Sequence, residues 1–256
     1  MIQENLKESE LTCSRCGKIF DVSNLISYNE SNDSSDTIML CETCYPKLQK
    51  ELTKQAKSFT GPEAFKRAAH EIFKGLNEMG LDTDDVNFKD TPQRFARALY
   101  EIFEGVTNTK EEVKKILATS FPADGMNNMI TAKGIIAFSM CPHHLLPVEY
   151  KINVGYVPAE DGNVLGISKL SRLVKLLAKQ PLLQETLCEQ IADALASIGV
   201  KGSAVAISGR HMCMRMRGVK DVTASIYAQS MRGCFKDDAK CRQEFLELTR
   251  DGLIFN

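Results

Sequence analysis

Two short stretches hold the side chains best suited to chemistry: Cys141-Pro142-His143-His144 and, much further along, His211-Met212-Cys213. Three of the chain's four histidines lie in them. Cys141 and His144 are spaced so that one tight turn aims a thiolate and an imidazole at a single ion, and Cys213 offers a second thiolate from elsewhere in the fold. Two thiolates and one imidazole leave the fourth position of a tetrahedral zinc for water, the pattern of a catalytic rather than a closed structural site. His143 and His211 sit beside ligands without being needed as ligands, which makes them candidates to move protons around that water. A buried cysteine with ordinary core histidines accounts for either stretch alone; the two together favour the metal. The same donors also accept other divalent ions.

A second set of cysteines stands near the start: Cys13 and Cys16 form one CxxC knuckle, Cys41 and Cys44 another. Residues 17–40 separate them, a gap somewhat longer than the commonest zinc-ribbon spacing. Lys18-Ile19-Phe20 and Ile38-Met39-Leu40 read as short strands, and the polar run Tyr28 to Asp36 as loop. A piece this small cannot fold on apolar burial alone, so a structural zinc would supply much of its stability. A redox dithiol pair is the other reading. The lysines of residues 47–57 are expected on the solvated face of a helix leading out of the module.

The remaining composition narrows the function classes. At 256 residues the chain has room for one sizeable domain and an appendage. A formal charge of −1 provides no global attraction to nucleic acid or anionic membrane. No apolar run approaches a membrane span, and Met1 to Asn5 lacks the blocks of a signal peptide, so a cytoplasmic protein with reduced, metal-binding cysteines is expected.

Several elements must position the chemistry. Phe65, Ala68, Ala69, Ile72, Phe73, Leu76 and Met79 recur at helical spacing, with Gly80 as a stop. Asp90-Thr91-Pro92 opens a second helix carrying Phe95, Ala98, Leu99, Ile102 and Phe103 on one face, ended by Gly105; a third runs from about Lys110 to Leu117. Residues 128–140 and 148–157 read as strands joined through the CPHH turn. Helices are expected over 168–178 and 181–197, strands over 203–214 and 222–233, and a last helix from near Asp237. This ββααββ order is α+β, with helices on one face of an antiparallel sheet. The other face needs its own cover, so oligomerisation is expected. Residues 1–56, 57–120 and 121–256 thus divide into a four-cysteine zinc-binding module, a helical region and a catalytic domain.

Near the expected helix start at 168, Ser168, Lys169 and Arg172 bring two cations and N-terminal amides toward one anion. Arg215, Arg217 and Lys220 add charge just after Cys213. A polyphosphate suits such a collection; solvated surface cations are the plainer reading of each cluster. Gln184-Glu185 offers an amide and a carboxylate, and a carboxylate facing guanine's two donors discriminates against adenine.

The runs 141–147 (CPHHLLP), 166–172 (GISKLSR), Gln184-Glu185 and 211–218 (HMCMRMRG) together resemble the GTP cyclohydrolase I family. So do 90–94 (DTPQR), 233–236 (GCFK) and 244–246 (EFL); the similarity spans about residues 62–252 and leaves the first 56 uncovered. The resemblance implies a tunnelling fold, a ring-forming homo-oligomer (commonly a decamer) and active sites at subunit interfaces. It implies conversion of GTP and water to 7,8-dihydroneopterin triphosphate and formate, a product compatible with folate, biopterin or deazapurine routes. Carried over by position, Cys141, His144 and Cys213 would hold zinc, and Glu185 with Gln184 the guanine. Ser168, Lys169, Arg172 and Arg217, with Arg94, would hold ribose and triphosphate, and His143 and His211 would transfer protons.

The sequence departs from the family's usual Cys-Glu-His-His at Pro142, which removes a carboxylate and a backbone N–H beside the metal turn. Two other functions compete. A nucleotide-binding regulatory protein, or a variant purine-ring hydrolase, would keep the fold and lose full turnover. A zinc nucleobase deaminase needs an H-x-E arrangement that is missing near these ligands. The first module could bind a partner protein, gate activity or brace the ring.

Overall fold

The computed structural model describes residues 10–14, 16, 18–21, 25–29, 37–47, 61–107, 109–160 and 162–255. They belong to two compact units, residues 1–72 and 73–256.

In the first unit, strand β1 (Glu10–Thr12) pairs antiparallel with β2 (Ile19–Asp21), and β3 (Leu25–Asn29) with β4 (Thr37–Cys41). Each hairpin sets one cysteine pair. Cys13 follows β1 and its N–H bonds Lys18 O at 2.9 Å, which closes the first knuckle. Cys41 ends β4, and Cys44 opens a helical turn at residues 44–47. Tyr28 and Asn29, expected as loop, are strand, because pairing of Tyr28 with Ile38 overrides the polar local sequence; the rest of that expectation, residues 30–36, lies outside the described residues. The helix expected through residue 57 falls outside the described residues beyond Lys47.

Helix α1 (Gly61–Glu78) carries the expected stripe, but among its apolar positions Ala69 is fully buried while Met79, just past its end, is 85% exposed. Gly80, at a left-handed φ of 96°, ends it as expected. Helix α2 (Thr91–Ile102) starts with Pro92 in its first turn, where the missing N–H has no role. Gly105 follows within a 3-10 turn, and the reason is proximity: a Cβ there would lie 2.6 Å from Leu176 O. Helix α3 (Thr109–Leu117) completes the helical region.

The main sheet is antiparallel, in the order β10-β9-β7-β6. Its strands are β6 (Ile130–Met140), β7 (Pro147–Val157), β9 (Gly202–His211) and β10 (Ile226–Gly233). A small pair, β5 (Ser120–Pro122) and β8 (Asn163–Leu165), stands apart, and the Tyr156 hydroxyl accepts Leu165 N–H at 2.9 Å to hold β8 to the sheet. Helices α4 (Ile167–Ala178) and α5 (Gln184–Ala196) cover one face. There Tyr150, Ile152, Val154, Val205 and Ile207 pack with Leu173, Val174, Leu177, Leu187, Ile191 and Leu195, all buried. The α+β arrangement and its strand-helix order agree with the sequence.

Three boundaries shift. Strand β9 stops at His211, and Met212–Arg215 forms a one-turn helix, α6, in place of a strand to 214. Its partner β7 begins at Pro147–Val148, and Val148 pairs with His211, so no neighbour extends the ladder further. Strand β10 begins at Ile226, opposite Gly209, and not at 222, after a turn in which the Asp221 carboxylate accepts from Thr223 and Ala224 N–H. The final helix is split: α7 (Cys234–Asp237) precedes α8 (Ala239–Thr249), where the Asp238 carboxylate caps Lys240 N–H at 2.8 Å.

The second face of the sheet, expected to need its own cover, is partly covered from within the chain. Phe235 and Phe245 are fully buried against Ala204, Ala206 and Val157, their rings edge-on at 5.7 Å. Asn153, also buried, joins this layer by donating to Thr249 O and accepting from Gly134 N–H, both at 2.8 Å. Ile136, Phe138 and Tyr227 on the same face remain 47%, 66% and 63% exposed. Replacing Phe245 by Ala should destabilise the fold by about 3–5 kcal/mol through the cavity it opens. Urea unfolding checks this; a loss below about 1 kcal/mol would mean that the C-terminal layer is not part of the core.

Candidate metal centre and substrate pocket

Strand pairing explains how distant stretches meet. Strands β6 and β9 both flank β7, with Met140 opposite Pro147 and Val148 opposite His211. The end of β6 and the end of β9 therefore emerge side by side, one leading into Cys141 and the other into Cys213. The two Sγ atoms lie 3.8 Å apart. Nδ1 of His144 is 3.8 Å from Cys141 Sγ, and Nδ1 of His143 is 3.9 Å from it. Cys141, His211 and Cys213 each present a donor atom within 4.8 Å of the other two.

The Cys141–Cys213 and Cys141–His144 distances fit neighbouring ligands of one metal, but the histidine whose donor lies within 4.8 Å of both sulfurs is His211 and not the expected His144. Tetrahedral ligands about 2.3 Å (sulfur) and about 2.0 Å (nitrogen) from zinc stand ~3.5–3.8 Å from one another. The donor chemistry fits as well. Burial, then hydrogen bonding to Cys141, holds the Cys213 thiol above its usual range. Two thiolates about 4 Å apart repel by about 4 kcal/mol at an effective dielectric of 20, so a cation is what lets both ionise. The Cys13, Cys16, Cys41 and Cys44 sulfurs also lie within 4.8 Å of one another. Burial, then bonds with the other three thiols, pushes Cys44 up to about 12. Cys41 N–H points at Cys13 Sγ at 3.5 Å, a contact that stabilises a thiolate ligand.

Around the first cluster lies a cavity of about 210 Å³ walled by Cys141, Pro142, His143, His144, Leu182, Leu183, Gln184, Glu185, His211, Cys213, Met214 and Ile226. Glu185 stands exposed in the first turn of α5, in the cavity wall. Its charge pulls the His211 pKa upward, but burial is the larger effect and the imidazole is held below its usual value.

Gln184 has a different task from the one its neighbour suggests. It is 3% exposed, and its amide nitrogen donates to Ile207 O at 3.3 Å and Ile226 O at 2.8 Å. Its oxygen faces His211 Nε2 at 3.1 Å. Two carbonyls fix which end of the amide is the donor, so the oxygen must accept and His211 must carry its proton on Nε2. Nδ1 is then the nitrogen with a free lone pair. Tyr150, buried on β7, meets the same imidazole edge-on at 6.1 Å. The sequence reading missed Tyr150; its signal was only an inward position in the alternation of β7.

The expected phosphate-binding residues do not reach this cavity within one chain. Ser168 is exposed and Lys169 half-buried in the first turn of α4. Arg172 lines a separate cavity of about 470 Å³ together with Lys175, Lys179, Glu104 and Glu112. Arg94 bonds Asn87 O and Thr91 Oγ1 and faces Asp90 at 3.8 Å. Arg217 is exposed, and its charge favours the Cys213 thiolate.

Fold and site define an α+β protein with a thiol–imidazole cluster of metal-ligand geometry at the open end of its sheet. The sequence profile of GTP cyclohydrolase I matches residues 66–250, and the chain belongs to that family. It is 39% identical over 188 residues to GTP cyclohydrolase 1 of Dehalococcoides mccartyi, an alignment covering 73% of this chain and 95% of that protein. It is also 39% identical over 176 residues to a Pseudomonas aeruginosa protein named GTP cyclohydrolase 1 2, covering 68% and 94%. With Wolinella succinogenes GTP cyclohydrolase 1 the identity is 41% over 137 residues, covering 53% and 72%.

Replacing Gln184 by Leu should cost about 1–3 kcal/mol, because it strands buried carbonyls and the His211 N–H. Urea unfolding of metal-free protein measures this. An unchanged midpoint would show that the amide contacts contribute nothing.

Proposed function

We propose that this protein is a zinc-dependent GTP cyclohydrolase that converts GTP and water to 7,8-dihydroneopterin triphosphate and formate. The observation that carries the reading is the convergence of Cys141, His144, Cys213, His143, His211 and Glu185 on one cavity, in a chain matching the family over residues 66–250. Cys141, His144 and Cys213 would hold the catalytic zinc, and the four N-terminal cysteines a structural one. When bound at the open site, zinc supplies a nucleophilic water at neutral pH.

Glu185 accepts from guanine N1–H and the exocyclic amine and thereby presents C8 to the cluster. His143 protonates the imidazole nitrogen as the C8–N bond breaks. Hydrolysis through formate consumes two waters, and closure of the pyrazine ring returns one, which balances the equation. Between these events the ribose must open and rearrange. His211, protonated on Nε2 by its contact with Gln184, has Nδ1 available as the base for that half.

Ser168, Lys169, Arg172, Arg217 and Arg94 bind ribose and triphosphate in this reading. Their dispersal over one chain supports a site completed by a neighbouring copy, in a ring-forming homodecamer of tunnelling-fold subunits. The exposed Ile136, Phe138 and Tyr227 give apolar area for such contacts.

Metal analysis should find about two zinc ions per chain, with Cys41→Ser and Cys213→Ser each losing one equivalent. Full zinc in Cys213→Ser would overturn the ligand assignment. Incubation with GTP should release formate and yield a product that fluoresces after oxidation to neopterin. Glu185→Gln should weaken GTP binding by roughly 10-fold or more, since a buried guanine donor loses its acceptor. If the zinc-loaded protein opens no ring, a nucleotide-binding protein without turnover is the correct reading.

A further inference from the structure

Pro142 stands between the ligand candidates Cys141 and His144, and the geometry of the turn they share gives it a role. Between β6 and β7, Cys141 O accepts two N–H groups, from Leu145 at 2.8 Å and from His144 at 3.4 Å. Cys141 N–H in turn donates to Leu146 O at 2.9 Å, closing the loop across its base. Residues 142–144 thus make a single helical turn, with Cys141 as its cap and Pro142 at its first position. Proline is favoured there because its φ is already helical and no inward N–H is needed. The inward donors are His144 and Leu145, so the N–H that Pro142 lacks breaks no bond of the turn.

The far end of the same turn is unfavourable. Leu145 has a φ of +48°, a left-handed conformation that a branched side chain adopts at a cost, and it is 54% exposed. One turn of helix with such a terminus has little intrinsic stability, since nucleation fixes several dihedrals for very few hydrogen bonds. A fixed φ at the first position and a restricted Cys141 before it both reduce the number of open conformations.

We propose that Pro142 is a positioning residue that keeps the Cys141–His144 ligand turn formed before metal arrives, with an uncharged ring in the cavity wall. The inference rests on the metal reading above. A flexible turn would have to be ordered by the ion at the expense of affinity; a preformed one presents both donors at the 3.8 Å separation already.

The test uses the full-length chain stripped of metal and titrated with zinc against a chromophoric chelator. Cys213→Ser protein serves as the blank for the N-terminal cysteines. Pro142→Ala should lower zinc affinity at the central site by roughly two- to fivefold, and Pro142→Gly further. Hydrogen exchange at the His144 and Leu145 amides should accelerate in the metal-free variants. Adding Leu145→Gly to Pro142→Ala should restore part of the affinity by relieving the left-handed end, a rescue that a merely structural role does not predict. Unchanged affinity and unchanged exchange in Pro142→Ala would overturn the proposal. Should no chain take up zinc beyond the blank, the metal reading fails, and the exchange rates alone still decide whether Pro142 holds the turn.

Discussion

Strand β7 lying between β6 and β9 is the constraint on which the site depends. Neither cysteine of the central pair is placed by its own loop alone. Each is delivered by a strand whose register against β7 is fixed by inward side chains, so Val148, Tyr150 and Ile152 on one strand determine where Cys141 and Cys213 emerge. A one-residue slip would turn those side chains outward and separate the sulfurs. The ladder also ends where the chemistry begins: Pro147 cannot donate, β9 has no partner after His211, and the chain coils into the turn that carries Cys213.

Around that base, polar contacts are used sparingly and to orient. The Gln184 amide joins α5 to β9 and β10 and fixes the His211 tautomer in the same three contacts. The adjacent Glu185 stays exposed in the cavity wall, free to meet a ligand. One residue pins the helix while its neighbour faces the cavity, a division that adjacent positions at a helix start allow because they point about 100° apart.

The N-terminal module follows a different physical logic. Among the described residues its core is Cys13, Leu40, Cys41 and Cys44 with Met39 and Tyr45 beside it, so that three of four core positions are thiols. Four thiols held together, one of them pushed up to about 12, are stable as thiols but poised for exchange of protons against a cation. The main unit has a far larger apolar core, with α4 and α5 over one face of its sheet and Phe235 and Phe245 over part of the other.

Much of this was legible in the sequence. The CxxC pairs, the CPHH and HMC stretches, the apolar periodicity of α4 and α5 and the alternation along β6 and β7 are local patterns, and local spacing is what a sequence displays directly. What the tertiary structure alone decided depends on partners that spacing cannot name. Gln184 read as a substrate contact until its amide was seen between two buried carbonyls. The strand expected through Met214 stops at His211 because β7 has already ended. The C-terminal phenylalanines cover part of the sheet face opposite α4 and α5, a contact that no local spacing announces. Pro142, which in the sequence looks like a lost carboxylate and a lost N–H, stands at the first position of its turn, where an N–H has no inward acceptor. Residue type and spacing fixed which atoms are available for chemistry; register, capping and packing decided where they point.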